Sequence, residues 1–288
     1  MQAEILKAIQ TISNPFLDYF FIILTMFGSS GFYFIFIPIF YWCIDKRLGL
    51  KLGLILIASI YINTVIKEVT KISRPIGYPG IRSIFTQSAG GYSFPSGHAQ
   101  GSATFWGTLT VHYNKKWLWY LGSLVVILVS FSRMYLGVHW PIDIAGGILI
   151  AFLIVVLGEL IDSIIRENPL KFPLYLKILL SIVVPVIFVW IFPHKDIYEH
   201  MGLIAGVLTG YFVDKEKFDF TTHGTFSKQV VKFLIGVAVF FALKEGLKLI
   251  MPYENAFNFL RYSLCGVWLS LGAPYTFYLL KLNDKKIA

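Results

Sequence analysis

The chain of 288 residues is 56 % apolar and only 14 % charged, with a mean hydropathy of +0.69 and a net charge of +9 at pH 7. Those proportions exclude an ordinary water-soluble domain: apolar stretches approaching the ~20 helical residues of a bilayer crossing recur from Phe16 to Leu280. Nor does the positive charge point to nucleic acid, because most Lys and Arg sit in short clusters between apolar segments, where they orient membrane proteins and meet anionic headgroups.

The N-terminal residues do not read as a cleaved signal: Glu4 and Lys7 interrupt them, and no small-residue cleavage site follows a short apolar core. Ile5, Leu6, Ile9 and Ile12 share one helical face, which predicts a short helix lying along the interface. Apolar segments then follow at 16–27, 32–44, 48–69, 97–111, 117–131, 139–161, 172–191, 201–213, 230–250 and 257–280, for nine or ten crossings. Gly28-Ser29-Ser30-Gly31 separates the first two, which read as one broken hairpin or as a re-entrant piece plus one span. Cys43 and Cys265 lie inside apolar segments without metal-ligand spacing and read as small core residues. The polar stretch 162–171, with Pro169, is the best internal boundary.

Orientation follows from the short loops. Lys46, Arg47 and Lys51, then Lys115 and Lys116, Arg166 and Lys171, Lys215, Lys217 and Lys228, and Lys281, Lys285 and Lys286 alternate with the other loops, which predicts a cytoplasmic face. The opposite face carries Lys67, Lys71, Arg74, Arg82, Arg133 and His139. Its cations accompany histidines and an aspartate, a combination that suggests a site rather than an anchor.

Three segments on that face hold what a phosphate needs. Lys67, Arg74 and Arg133 supply fixed positive charge, the arginines as planar forks and the lysine as a point charge. Arg74 precedes Pro75, so the chain should leave its helix near there. Pro95-Ser96-Gly97-His98 opens the next apolar segment: Ser96 suits an N-cap, Gly97 permits close backbone approach, and a helix N-terminus favours an anion. His139 and Asp143 are four residues apart and are predicted to share one helix face. The carboxylate would fix the imidazole tautomer and leave its other nitrogen free to attack phosphorus, while His98 would act as general acid and then base. No metal is required by this set, which has a single carboxylate, and no cofactor is expected. Each residue alone has a structural explanation, such as snorkelling for Lys67 or orientation for Arg133. Ionisable groups gathered at one membrane face are costly and usually functional.

Together, Lys67…Arg74-Pro75, Pro95-Ser96-Gly97-His98 and Ser132-Arg133…His139…Asp143 resemble the three-part signature of the type 2 phosphatidic acid phosphatase superfamily, over roughly 48–161. The resemblance implies an all-α, polytopic transmembrane bundle with a core of about six helices. It implies metal-independent hydrolysis of a phosphomonoester or pyrophosphate. Carried onto this chain, it makes His139 the nucleophile, Asp143 its orienter and His98 the general acid, with Lys67, Arg74, Ser96, Gly97 and Arg133 binding phosphate. The expected division is 1–28 as interfacial or re-entrant helices, 29–166 as the catalytic core and 167–288 as a C-terminal transmembrane extension. The extension carries no recognised motif and reads as additional packing helices.

The expected function is a multi-pass cell-membrane lipid phosphatase with an extracytoplasmic site, acting on undecaprenyl pyrophosphate, phosphatidylglycerol phosphate or phosphatidic acid through a phosphohistidine. Its partners are the lipid phosphate and the bilayer, with no nucleic acid and no oligomeric state indicated. A lipid phosphotransferase would use the same residues. A transporter is the alternative of another class, but transporter sites usually lie near the midplane, whereas these charges gather near one face.

Overall fold

Alternating apolar stretches and glycine-rich or proline-bearing breaks produce a wholly helical architecture over residues 1–169 and 171–283, which the computed structural model describes. Lys285 and Lys286, counted above among the cytoplasmic basic residues, lie outside the described residues. Short helix α1 (Gln2–Gln10) is followed by α2 (Pro15–Met26), α3 (Ser30–Ile39) and a π turn at Phe40–Ile44. Asn14 caps α2, its side chain accepting from the Leu17 amide, and Pro15 stands at the first helical position, where its missing N–H costs nothing. The break read at Gly28–Gly31 is a bend of 46°, and the two helices together are long and apolar enough to make one broken span or a re-entrant loop.

Four further helices are long and apolar enough to cross a membrane: α4 (Lys46–Thr70), α6 (Lys116–Tyr135), α7 (Pro141–Glu167) and α8 (Leu174–Ile191). The total of four or five among the described residues is fewer than the nine or ten segments read from sequence. The shortfall has physical causes. Helix α5 (Gly97–Tyr113) has 17 residues and a polar interior, and α9 (Lys195–Lys217) and α10 (Phe226–Ile250) carry charged residues within the helix, such as Glu199 and Lys232, as well as near their ends. The last segment is broken into α11 (Asn255–Val267), a π turn (Trp268–Gly272) and α12 (Ala273–Leu279). Along α7, Leu149, Phe152, Leu153, Val156, Leu157 and Leu160 are exposed. In water this stripe would be a liability; against lipid it is the expected outer face of a spanning helix.

The chain forms two compact units: Met1–Phe34 with Ile55–Glu167, and Ile35–Leu54 with the described residues from Asn168 onward. In the first, α5 packs on α6 and α7, and α1 and α2 pack against α6. Gln100 of α5 donates to the Ser59 carbonyl at 2.8 Å and accepts from Asn63 at 2.8 Å, and Ser59 and Thr104 hydroxyls meet at 2.9 Å. These buried contacts bind α4 to α5 where an apolar surface has no hydrophobic preference for protein over lipid.

In the second unit the same problem is met by small residues. Gly202, Gly206 and Gly210 form a stripe on α9, and a Cβ on Gly202 or Gly206 would run into the backbone carbonyls of Phe259 and Ser263 on α11. Such a stripe lets two backbones approach closely enough for van der Waals packing to hold them. Trp42 is fully buried, its indole N–H donating to the Leu269 carbonyl at 2.8 Å, and Lys46 is ion-paired with Asp214. Gly206→Ala is expected to lower stability by about 1–3 kcal/mol through overpacking. Gly246→Ala, at a helical position with nothing within 4 Å, should be neutral or slightly stabilising. Thermal unfolding in detergent checks both.

Candidate active site

The site is assembled in the first unit by helix ends and two loops. Helix α4 stops after Thr70, with Lys71 in the left-handed region and its amide donating to the Lys67 carbonyl at 2.9 Å. Lys67, in the last turn, directs its ammonium to the carbonyls of Tyr92 and Ser93 at 2.5 and 3.3 Å. Helix α6 ends in a Schellman turn: the Gly137 amide donates to Met134 and the Val138 amide to Arg133. Gly137 has φ +65°, and a Cβ there would collide with the Arg82 carbonyl, so this turn requires glycine. The turn delivers His139 just ahead of α7.

Here the structure corrects the sequence reading. His139 and Asp143 do not share a helix, because α7 begins at Pro141 and Asp143 lies in its first turn. Their contact forms nonetheless, His139 Nδ1 to Asp143 Oδ2 at 3.2 Å. The same oxygen accepts from the Trp140 amide at 2.8 Å and from the Ser93 hydroxyl. Asp143 thus caps its own helix, as a residue three positions into a helix does when it reaches back to the N-cap amide.

The other ring nitrogen, His139 Nε2, lies 2.8 Å from Arg74 Nη1. A guanidinium only donates, so Nε2 is the acceptor and Nδ1 carries the proton toward Asp143. Arg74 is itself fixed by the carbonyls of Val138 at 2.9 Å, Gly91 at 2.9 Å and Gly90 at 2.7 Å. Burial draws its guanidinium down to about 10, opposed by Asp143, and it remains cationic at neutral pH. His139 is held well below the ordinary histidine value, first by burial and then by Arg74, Arg133, Lys67 and His98. The imidazole is therefore neutral in the physiological range, the form a nucleophile needs.

Arg133 is fully buried, with Nη1 donating to Thr25 at 2.9 Å and to Ser88 at 3.0 Å. Ser96 is the N-cap of α5, but its amide is engaged by the Asp143 carbonyl at 3.0 Å. The next amides, of Gly97 and His98, meet no acceptor among the described residues, as the first amides of a helix do. His98 is half-buried at the second position of α5, beside Gly28, where a Cβ would come within 3.1 Å of its own. Lys67, Arg74, Arg133 and His98 thus all lie within electrostatic reach of His139. Three cations face one carboxylate, a balance that suits an anion.

Sequence reasoning passed over Ser93, Thr25 and Ser88. Ser93 stands next to a segment already singled out; Thr25 and Ser88 have no local signal, being 108 and 45 residues from Arg133. Arg82, grouped above with the site cations, instead clamps Asp18 with two bonds at 2.8 and 2.6 Å, and Asp18 also accepts from Tyr135. That clip fastens the loop to α2 and α6.

Residues 48–161 match the model of the PAP2 superfamily, and 198–285 match that of the PAP2 superfamily phosphatase transmembrane extension. An undecaprenyl-diphosphatase of Sulfolobus acidocaldarius is 32 % identical over 172 residues, which are 58 % of this chain and 80 % of that protein. The chain belongs to the PAP2 superfamily. Mouse sphingosine-1-phosphate phosphatase 2 is another relative, 29 % identical over 221 residues, covering 70 % of this chain. The chain spans only 60 % of that mouse protein. The crystal structure of Aquifex aeolicus LpxE superposes with a TM-score of 0.50 at 25 % identity, covering 55 % of this chain and 93 % of that one. With its apolar helices, this PAP2 chain is a multi-pass membrane protein.

The depressed folded-state value of His139 has a measurable sign. Between that value and 6.5, the unfolded chain binds a proton that the folded chain refuses. The contribution of His139 to stability should therefore rise with pH up to about 6.5, by at most roughly 1.4 kcal/mol per pH unit, and level off above it. His139→Gln is expected to flatten this slope when unfolding is followed between about pH 5 and 8.

Proposed function

We propose that this protein is a lipid phosphatase that cleaves a phosphate or pyrophosphate ester through a phosphohistidine at His139. The observation that carries the reading is the chain Asp143–His139–Arg74: one ring nitrogen is committed to a carboxylate, the other presents its lone pair to a guanidinium. A phosphate oxygen that takes over the Arg74 donor brings phosphorus to the Nε2 lone pair. Nε2 then forms the N–P bond as the P–O bond to the lipid breaks, and His98 gives a proton to the leaving oxygen. In the second half, water attacks the phosphohistidine, His98 takes its proton, and inorganic phosphate leaves. Lys67, Arg74, Arg133 and the Gly97 amide would stabilise the charge on the equatorial oxygens.

The substrate class is a lipid phosphate, supported by relatives named for sphingosine-1-phosphate and undecaprenyl diphosphate and by a site at helix ends in an apolar bundle. Undecaprenyl pyrophosphate, phosphatidylglycerol phosphate, phosphatidic acid and sphingoid-base phosphates all carry the required group. The alternation of basic loops supports an extracytoplasmic site. A phosphotransferase would share the first half-reaction and differ only in the acceptor, so free phosphate and labelled acceptor must be measured separately.

Purified protein assayed against these lipid phosphates is expected to release inorganic phosphate from at least one. His98→Ala should slow release by roughly 10²–10⁴-fold, and His139→Ala should abolish it while the protein still inserts. Undiminished release by His139→Ala would remove the proposed nucleophile.

A further inference from the structure

Helix α11 places a cation where its sequence offers no explanation. Arg261 lies seven residues into the helix, in a segment that is otherwise mostly apolar. Long cationic side chains in membrane helices usually stretch to the interface. Arg261 does not: it is 2 % exposed. Its Nη1 donates to Asn258 Oδ1 at 3.0 Å, a bond to the preceding turn that fixes the plane of the guanidinium. Nε and Nη2 are shut off from solvent and donate to nothing among the described residues.

The two unmet donors are not scattered. The N–H of Nε and an N–H of Nη2 lie side by side along one edge of the guanidinium, the pair that engages two oxygens of one oxyanion. The orientation is therefore set by Asn258, while the bidentate edge is buried without a partner among the described residues. A guanidinium cannot discard its proton to escape the cost of burial.

The charges nearby have other partners or lie at a distance. Cys265, one turn on, lies within electrostatic reach of both Arg261 and Lys244 of α10. Lys244 has Glu245 at 3.5 Å, but that carboxylate is held more closely by Lys248 at 2.7 Å. The carboxylate of Glu199 on α9 is engaged by the Tyr262 hydroxyl. The Tyr253 ring stands 6.0 Å from the guanidinium carbon and closes one side.

We infer that the transmembrane extension holds a second anion site, in which Arg261 grips a phosphate-class oxyanion through its Nε–Nη2 edge. A phospholipid headgroup and free inorganic phosphate share that chemistry. The site is separate from the proposed reaction and does not depend on it, since none of its residues belongs to the unit that carries His139.

The test uses the full chain in maltoside micelles free of phosphate, with inorganic phosphate or phosphatidylglycerol titrated in separate arms and the melting temperature followed. Wild type is expected to show a saturable rise. In Arg261→Gln the part of the rise due to this site disappears, while any hydrolysis of lipid phosphates stays within about twofold of wild type. Arg261→Lys keeps the buried charge and loses the fork, so it guards against a variant that fails to fold. Its half-saturation should move to roughly tenfold higher ligand. A response to phosphatidylglycerol alone assigns the site to a lipid headgroup, and a response to both assigns it to free phosphate as well. A wild type that does not respond, or responses identical in wild type and Arg261→Lys, overturns the proposal and leaves water as the partner of the two donors.

Discussion

A single carboxylate oxygen organises the unit that holds the candidate active site. Asp143 Oδ2 accepts from the His139 ring, the Trp140 amide and the Ser93 hydroxyl, and so joins the start of α7, the turn after α6 and the loop before α5. The Asp143 carbonyl adds a fourth tie by receiving the Ser96 amide. Moving this residue would disturb the imidazole, the helix cap and the approach of α5 together. Its position in turn depends on close packing of α7 against α5, where a Cβ on Gly147 would come within 2.8 Å of the Ser96 carbonyl.

Around that carboxylate the protein solves a problem of charge with backbone. Carbonyls of Gly90, Gly91, Tyr92, Ser93 and Val138 hold Arg74 and Lys67, while hydroxyls of Thr25 and Ser88 hold Arg133. These partners satisfy donors without cancelling charge, so the cations stay positioned and electrostatically hungry. Neutral dipoles are a cheaper support than extra carboxylates, which would repel an incoming anion. Arg261 in the extension is supported in the same way, by a neutral acceptor on Asn258.

Much of this was legible where the signal is local. Ser96 was readable as a helix cap, and the exit of the chain at Arg74-Pro75 followed from proline sterics. The His139–Asp143 contact was readable too, but for an incorrect reason: the spacing of four suggested a shared helix, whereas Pro141 starts the helix between them. Long-range support was not readable, because nothing near Thr25 or Ser88 in sequence marks them as partners of Arg133. The packing of Ile35–Leu54 with the second unit was equally hidden, since apolar membrane segments show little periodicity to say which neighbour they face. The glycine stripe of α9 did carry a signal, with Gly202, Gly206 and Gly210 spaced by four, yet a division by hydropathy alone passes over it.

In the proposed reaction, phosphorus passes from lipid to the Nε2 atom of His139. Rapid acid-free quenching of the protein with ³²P-labelled lipid phosphate, followed by peptide mapping, tests it directly. Base-stable, acid-labile label is expected on the peptide containing His139. Steady phosphate release with no label on that peptide, or label that persists in His139→Ala, would contradict it.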